Sequence, residues 1–599
     1  MQRCATMNRL QLYQDNNAAS RTPSGRTRNR DLGTDQGSFR LQDEITIPVV
    51  VHIVLPNPYL VSNADVQAQI DRLNLDFSGS NPDSTNASGF YAFRGHSRIR
   101  FCLARRTPTG QLTSGIERRS SNSGSDVNEM QDPIKYAAKG GLNAWNPAEY
   151  LNIWVGRDLT GQGILGYADN IGPGTGTDDG VVLNVEAFGT SSCYTKAPYN
   201  RGRTATHEVG HYFGLYHIWG DDNGGCTGDD FGQLPASTTF TLPTGLFNPA
   251  GQANGSSDIG DTPNQGDASG ACFPGVQTDD CSAVAPGKMY QNYMDYTYDA
   301  CLTMFTRKQV SRMEWILDNT RAGLKNSHGC QPPANAPLLD VAPLASVSPG
   351  GFELSGCTPL YYPDSLGCPG TVTPKFRVVN NGLSTITTLT VGYSLNNGTT
   401  VTQTVSVNIP HGGFYVASFA AIAVAEGNHT FRFFTAAPNG GTDAVSNNDS
   451  YTQTLTVMTP MAPPVNEGFE TVLQNWTVDN PDFDFTWERT TPGRNGSAGK
   501  LTIDNYNYEG VGHRDDLRSA SITVDPASTY FLTFDLAHKN YPDPEYYDSL
   551  AVLVSGDCGQ TFTRVYYKGG PALATAGFSE SEFQSPAQGD WRTETVSLG

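Results

Sequence analysis

The chain has 599 residues, far more than one hydrophobic core usually serves, and its 37% hydrophobic and 16% charged residues are typical of a globular protein. Its formal net charge of -20 argues against a nucleic-acid partner, because phosphate binding needs a basic surface. No stretch approaches the ~18 apolar residues of a membrane-spanning helix, and the first residues lack the apolar run of a signal peptide.

Residues 1–40 differ in composition from the rest of the chain. They hold few apolar residues and only three acids, but seven arginines: Arg3, Arg9, Arg21, Arg26, Arg28, Arg30 and Arg40. This composition predicts a polar leader that is flexible or cleaved, rather than part of a core.

A globular block is predicted over residues 41–330. Ile45–Leu55 is rich in β-branched residues, which predicts a buried strand. Ser62 is a candidate N-cap for a helix whose apolar face holds Val66, Ile70, Leu73 and Phe77. Further strands are predicted at 98–104, 150–156 and 180–188, and a helix at about 134–145. A closing helix should begin at Thr306, where Gln309 would complete a capping box.

The second half of the chain has an all-β pattern. Prolines at 330–337 mark a linker. Alternating runs with Asn-Gly turns over 338–458 predict an immunoglobulin-like β-sandwich. An aromatic-rich pattern over 466–599 predicts a second, jelly-roll-like sandwich. Because the last residues have the pattern of a strand, we expect this domain to continue past residue 599.

The sequence HEVGHYFGLYH at 207–217 predicts a zinc site. His207 and His211 lie four residues apart on a predicted helix at 204–213, so both can ligate one ion. Glu208 can then take a proton from a water molecule at the metal without ligating it. Gly214 permits a sharp turn that returns His217 as the third ligand. Three protein ligands leave one position open, which is typical of catalytic zinc.

This long motif, followed by NYMDY at 292–296, is identified as that of the metzincin metallopeptidases. Within that clan, IPVVVHIV at 47–54, DTP at 261–263 and NYMDY resemble the pappalysin family over about residues 40–325. The resemblance implies an α+β domain with a twisted mixed sheet, an active-site helix and a loop-rich lower subdomain. It also implies that Met294 forms an apolar floor beneath the zinc.

The same resemblance assigns roles to two further residues. Tyr296 would donate a hydrogen bond to the oxyanion that forms during attack. Asp299 would lie at the floor of the S1′ pocket and select Arg or Lys after the cut bond.

The resemblance also implies structural features of the lower subdomain. It implies calcium near Asp258, Asp261 and Thr262, although a polar insertion at about 230–256 interrupts this region. It pairs Cys226 with Cys281 and Cys272 with Cys301. The eleven cysteines predict several disulfides and at least one thiol outside them. Cys357 and Cys368 would close a short loop, and the pairing of Cys102, Cys193, Cys330 and Cys558 stays open.

Cys4 suggests how such an enzyme is kept silent. A leader thiolate can occupy the open zinc position, and this resembles the cysteine switch of bacterial pappalysins. A thiol without that role is the alternative. If Asp299 selects arginine, cleavage before Arg26, Arg28 or Arg30 would make the enzyme self-activating.

The sequence therefore predicts a secreted zinc endopeptidase that cuts before Arg or Lys, made as a zymogen. The alternative is an adhesin or carbohydrate-binding protein that carries an inactive protease domain. The intact Glu208 argues against that alternative, and His217 argues against a thermolysin-like enzyme. The C-terminal domains are expected to bind a surface, a glycan or a protein.

Overall fold

The computed structural model of the chain describes residues 4–6, 44–87, 89–159, 161–169, 176–190, 194–220, 261–471, 473, 475–508 and 512–598. It divides into two compact units, Met1–Ala336 and Pro337–Gly599. The two domains predicted at 338–458 and 466–599 both fall in the second unit, so the boundary between them stays a prediction. Among the described residues, no helix has the length and apolar character needed to span a membrane.

A six-stranded mixed sheet forms the framework of the first unit. Its strands are β1 (Ile45–Leu55), β2 (Ile99–Leu103), β3 (Ile116–Ser120), β4 (Leu151–Gly156), β5 (Gly166–Ala168) and β6 (Gly180–Asn184). The order is β2-β1-β4-β6-β5, with β3 also paired to β1. All pairs are parallel except β5 with β6, so a short antiparallel strand forms one edge.

The first unit includes the α-helices α1 (Asn63–Ser78), α2 (Arg203–Tyr212), α3 (Arg307–Asn319) and α4 (Ala322–Lys325), besides short 3-10 turns. The caps predicted for two of them are confirmed. Ser62 forms a capping box with Asp65 at the start of α1, and Thr306 forms one with Gln309 at the start of α3. The predicted apolar face of α1 is buried in the core of the unit.

Two predicted elements differ from the structure. The helix predicted at 134–145 is wrong, because that segment holds two short 3-10 turns, Pro133–Lys135 and Ala137–Lys139. Gly140 then takes a left-handed conformation and the chain folds back, so that Leu142 donates to the Ile134 carbonyl. The strand predicted at 180–188 ends at Asn184, whose side chain accepts from the Glu186 amide and starts a 3-10 turn.

The disulfides resolve part of the cysteine pairing. Cys102 is bonded to Cys330 across 228 residues of the first unit. Cys272 is bonded to Cys301, the pair that the family resemblance implies. Cys226 lies outside the described residues, so its pairing stays a prediction. The short Cys357–Cys368 loop is wrong, because Cys368 is bonded to Cys558, far along the chain in the second unit.

The first part of the second unit contains twelve strands: β7 (Val341–Ser348), β8 (Gly351–Ser355), β9 (Thr358–Tyr362), β10 (Ser365–Leu366), β11 (Gly370–Val372), β12 (Lys375–Asn380), β13 (Ile386–Leu395), β14 (Val401–Ile409), β15 (Phe414–Ser418), β16 (Ile422–Val424), β17 (Gly427–Ala436) and β18 (Ser450–Val457). One sheet has the order β10-β18-β17-β13-β14, and another has the order β15-β12-β7. Both contribute to a single buried cluster that includes Phe376 and Phe433. A tight turn joins β13 and β14, and its two central residues, Asn396 and Asn397, both have positive φ. The turn is therefore centred one residue before the predicted Asn397-Gly398 pair.

The last part of the second unit is also all-β. Its strands are β19 (Trp476–Asp479), β20 (Glu488–Thr490), β21 (Lys500–Thr502), β22 (Asp516–Ser519), β23 (Phe531–Leu536), β24 (Ser549–Val554), β25 (Thr563–Gly569) and β26 (Arg592–Ser597). They form four antiparallel pairs: β19 with β22, β20 with β21, β23 with β26, and β24 with β25. Strand content follows the prediction, whereas the jelly-roll arrangement stays a prediction.

Candidate metal centre and active-site cleft

Three histidines converge at the end of helix α2. His207 and His211 lie one turn apart on the helix, and Gly214, with φ of +90°, turns the chain so that His217 returns to them. The three Nε2 atoms lie 3.1–3.2 Å from one another, and all three side chains are buried. A tetrahedral zinc with bonds of ~2.0–2.1 Å would hold its nitrogen ligands ~3.3 Å apart, so this donor set fits zinc.

Backbone carbonyls fix the orientation of two of these rings. His207 Nδ1 lies 2.7 Å from the carbonyl oxygen of Tyr293, and His211 Nδ1 lies 2.7 Å from that of Leu215. A carbonyl only accepts, so each Nδ1 must carry the proton, and each Nε2 lone pair then points to the centre. Burial, and then the charge of His217, lower the pKa of His211 well below its usual value. A neutral ring is the form that binds metal.

Residues 4–6 of the leader lie directly against this centre. The Sγ of Cys4 and the three histidine nitrogens all fall within 4.8 Å of one another. The Cys4 thiol also lies 3.4 Å from Glu208 Oε2, and burial, followed by the charge of Glu208, raises the pKa of Cys4. Cys4 and the three histidines therefore form one group with metal-ligand spacing, and the role of Cys4 as a latency switch stays a prediction.

Ala5 and Thr6 attach the leader to the edge strand. The Ala5 amide donates to the Gly166 carbonyl of β5 at 3.0 Å. The Thr6 hydroxyl accepts from the Ala168 amide and donates to Glu208 Oε2, both at 2.9 Å. Residues 5 and 6 thus lie against β5, with Thr6 hydrogen-bonded to the predicted base. Sequence reasoning missed Thr6, because the contact joins residues 202 positions apart.

Met294 packs against helix α2 at Gly210, and its role as a floor beneath the zinc stays a prediction. Its side chain is buried, and its amide donates to Asn292 Oδ1 at 2.9 Å. A Cβ atom at Gly210 would lie 2.6 Å from Met294 Sδ. Gly210 occupies a position that the zinc motif leaves free, so sequence reasoning missed this close contact.

Aromatic rings line the side of the centre formed by His217. Tyr296 lies with its ring centroid 4.8 Å from that of His217, and its hydroxyl donates to the Cys4 carbonyl at 3.1 Å. Trp219 stacks on His217 at 4.2 Å with an interplanar angle of 6°. Trp219 also meets Tyr296 edge-on at 4.7 Å. Sequence reasoning missed Trp219, although an aromatic residue two positions after the third histidine was a usable signal.

Asp299 lies at the start of helix α2 and is buried. Its Oδ2 accepts from the Arg201 amide at 2.8 Å and from the Arg203 amide at 3.3 Å. Because the N-cap residue is Gly202, which has no side chain, Asp299 supplies the negative charge and acceptor that the helix start favours. Its role in a specificity pocket stays a prediction.

Asp261 lies at the start of helix α3. Its carboxylate accepts from the Thr306 hydroxyl at 2.6 Å and from the Lys308 amide at 3.0 Å, and burial raises its pKa to about 6. Thr262 is buried beside it, and Asp258 lies outside the described residues. Within the described part of the chain, Cys4 and the three histidines are the one cluster with metal-ligand spacing. The calcium site stays a prediction.

Comparison with known proteins adds independent information. The sequence profile of the peptidase family described as pregnancy-associated plasma protein-A matches residues 139–318, which include His207, Glu208 and Tyr296. An extracellular metalloprotease of Arthroderma benhamiae is 29% identical over 300 residues, which are 49% of this chain and 79% of that protein. An extracellular metalloprotease of Arthroderma gypseum is 30% identical over 284 residues, 47% of this chain and 74% of that protein. Mature mirolysin of Tannerella forsythia, solved with a cleaved peptide, is 39% identical over 47% of this chain and 96% of its own, with a TM-score of 0.40.

Proposed function

Because this chain belongs to the pregnancy-associated plasma protein-A family of metallopeptidases, the pappalysins, we propose that it is a secreted zinc endopeptidase with Glu208 as its general base. The proposal is carried by the convergence of the three histidine Nε2 atoms with Cys4 Sγ, which lies 3.4 Å from Glu208 Oε2. The extracellular location of the relatives supports secretion.

The reaction needs a water molecule, a base and a stabilised oxyanion. When bound, zinc makes a water molecule more acidic and polarises the scissile carbonyl. Glu208 is buried beside the histidines, and its Oε2 accepts a hydrogen bond from Thr6 in this structure. With the leader gone, the same oxygen takes the proton from water and passes it to the leaving amine.

Tyr296 supplies the contact to the oxyanion. In this structure its hydroxyl donates to a carbonyl oxygen of the leader, that of Cys4. A substrate carbonyl in the same position would receive the same hydrogen bond, which becomes stronger as negative charge develops on the oxygen.

The contacts of residues 4–6 support a latent form of the enzyme. The Cys4 Sγ lies within 4.8 Å of the three histidine nitrogens, and the Thr6 hydroxyl donates to Glu208 Oε2. Both must leave before water and substrate can enter. We propose that cleavage before Arg26, Arg28 or Arg30 releases them. These arginines lie outside the described residues.

Asp299 is proposed to select Arg or Lys after the cut bond. Its buried carboxylate is held by two backbone amides, and a basic side chain would add a charge-assisted hydrogen bond. Calcium bound near Asp258, Asp261 and Thr262 is proposed to stabilise the lower subdomain.

For the second unit we propose an immunoglobulin-like sandwich at 338–458 and a jelly-roll-like sandwich at 466–599. The cluster shared by its two larger sheets supports the first of these. Such domains would hold the enzyme on a surface, a glycan or a protein.

The decisive test uses fluorogenic peptides with Arg, Lys or Leu after the scissile bond. The leader-free enzyme should cut the Arg and Lys peptides, and activity should vanish with a zinc chelator and in Glu208→Ala. A full-length Cys4→Ala variant should lose its leader and gain activity faster than the wild type, because only the Thr6 contact to Glu208 then remains. Silence of the zinc-loaded, leader-free enzyme would refute the proposal and favour a binding protein with an inactive protease domain. Equal cleavage of all three peptides would refute only the role of Asp299.

A further inference from the structure

The third histidine lies on a different kind of backbone from the first two. His207 and His211 belong to helix α2, whose regular hydrogen bonds fix their backbone. His217 lies in the turn after the helix, where residues 215–217 have no regular secondary structure. A ligand on such a segment depends on its packing neighbours for a fixed ring orientation.

Trp219 provides that packing. Its indole is 7% exposed and belongs to the main hydrophobic cluster of the first unit, together with Leu215 and Ile218. Its ring lies almost parallel to that of His217, with a centroid separation of 4.2 Å. Rotation of the imidazole about its Cβ–Cγ bond would drive its edge into the indole, so this stack restricts the direction of the Nε2 lone pair.

The same indole also contacts the residue proposed to bind the oxyanion. Trp219 meets Tyr296 at 4.7 Å with an interplanar angle of 73°, and Tyr296 meets His217 at 4.8 Å with an angle of 78°. The three rings therefore form a closed triangle of aromatic contacts, each with favourable geometry. Movement of one ring displaces the other two.

We propose that Trp219 is a positioning residue that sets the orientation of both His217 and Tyr296. An imidazole that ligates a cation carries partial positive charge, which the electron-rich face of indole stabilises. Trp219 would therefore strengthen zinc binding as well as orient the ligand. The part that concerns Tyr296 rests on the proposed peptidase function, whereas the part that concerns His217 needs only a metal.

Two substitutions separate stacking from volume. Trp219→Phe keeps an aromatic face against His217, and Trp219→Leu keeps an apolar side chain without one. Trp315→Leu, a half-buried tryptophan on helix α3, is the matched control for loss of an indole from the same unit. The thermal unfolding of each zinc-loaded, full-length variant would be followed first, to establish that it is folded.

Zinc affinity is measured by competition with a chromogenic chelator, in the full-length protein. We expect Trp219→Leu to bind zinc about 10-fold or more weakly, Trp219→Phe to stay within about 3-fold of wild type, and Trp315→Leu to match it. The absorption spectrum of the cobalt-substituted protein should change in Trp219→Leu only. Wild-type zinc affinity and a wild-type cobalt spectrum in folded Trp219→Leu would overturn the proposal. Equal loss in the Phe and Leu variants would overturn the stacking argument.

The second readout is peptide cleavage after leader removal. A displaced Tyr296 should lower kcat more than it raises KM in Trp219→Leu, because its hydrogen bond to the carbonyl becomes stronger as charge develops on the oxygen. A change in KM alone would refute the link to Tyr296. If wild type cuts no peptide but Trp219→Leu still loses zinc, the proposed function fails and the positioning of His217 stands.

Discussion

Gly210→Ala tests how tightly Met294 is packed against the helix that carries His207 and His211. The new Cβ would lie 2.6 Å from Met294 Sδ, roughly 1 Å inside the ~3.5–4.0 Å of ordinary nonbonded contact. Overpacking of this kind costs about 1–3 kcal/mol. Alanine in place of glycine within a helix contributes about 1 kcal/mol in the opposite direction. We therefore expect a net loss of about 0–2 kcal/mol in the free energy of unfolding.

A double-mutant cycle with Met294→Ala gives a sharper result. Met294→Ala alone should cost about 2–5 kcal/mol, because it leaves a cavity in a buried site. In the double variant the alanine methyl enters space that the sulfur has left, so no overpacking remains. The double variant should therefore be more stable than the sum of the single changes predicts, by about 1–3 kcal/mol.

Calorimetry of the zinc-loaded protein measures these effects. All variants would carry Glu208→Ala, which prevents self-cleavage, and the transition that shifts with added zinc identifies the protease unit. Gly270→Ala is the control, since a Cβ there has no atom within 4 Å. Additivity of Gly210→Ala and Met294→Ala within ~0.5 kcal/mol would refute the contact.

Three further predictions follow from single contacts. Asp299→Asn keeps an acceptor for the amides at the start of α2, so the Tm should change little. The preference of this variant for Arg over Leu after the cut bond should nevertheless fall about 10-fold or more, since hydrogen bonds to charged groups contribute ~1.5–3 kcal/mol. An unchanged preference in peptide assays would contradict this. Thr6→Val removes the hydroxyl that is hydrogen-bonded to Glu208, so the variant should lose its leader about tenfold faster than wild type. Leader loss is followed on gels, and an unchanged half-life of the full-length chain would contradict the prediction. Burial raises the pKa of Glu117, but the hydrogen bond and charge of His52 have a larger combined effect in the opposite direction. The pKa of Glu117 is therefore lower than its usual value. Its contribution to stability is present above the unfolded pKa and is lost as pH falls through the folded pKa, so from about pH 5 to pH 3 the Tm of wild type should fall more steeply than that of Glu117→Gln.

Local signals in the sequence predicted the elements that depend on local physics. The caps at Ser62 and Thr306 each involve residues three positions apart, and both form as predicted. The helix predicted at 134–145 failed for the opposite reason. A Cβ at Gly141 would lie 2.1 Å from the Ile134 carbonyl oxygen, so this glycine permits a fold-back that apolar periodicity does not reveal.

The candidate site divides in the same way. The three histidines and Glu208 lie within eleven residues of sequence, and a helix followed by a glycine turn is sufficient to bring them together. Thr6 reaches Glu208 across 202 positions of the chain. The contact between Gly210 and Met294 likewise depends on the tertiary fold. Such contacts carry no periodic or motif signal, so only the structure reveals them.

The bond between Cys102 and Cys330 has a consequence for the lifetime of a protease that meets other copies of itself. It joins the second strand of the sheet to a position just before the end of the unit. Any single cut between these two cysteines, which enclose helix α2 and all three histidines, leaves both fragments covalently joined. A nicked molecule would therefore run as one species on a non-reducing gel and as two after reduction. The fragments would be held at a high effective concentration, so a surface cut need not end the working life of the enzyme.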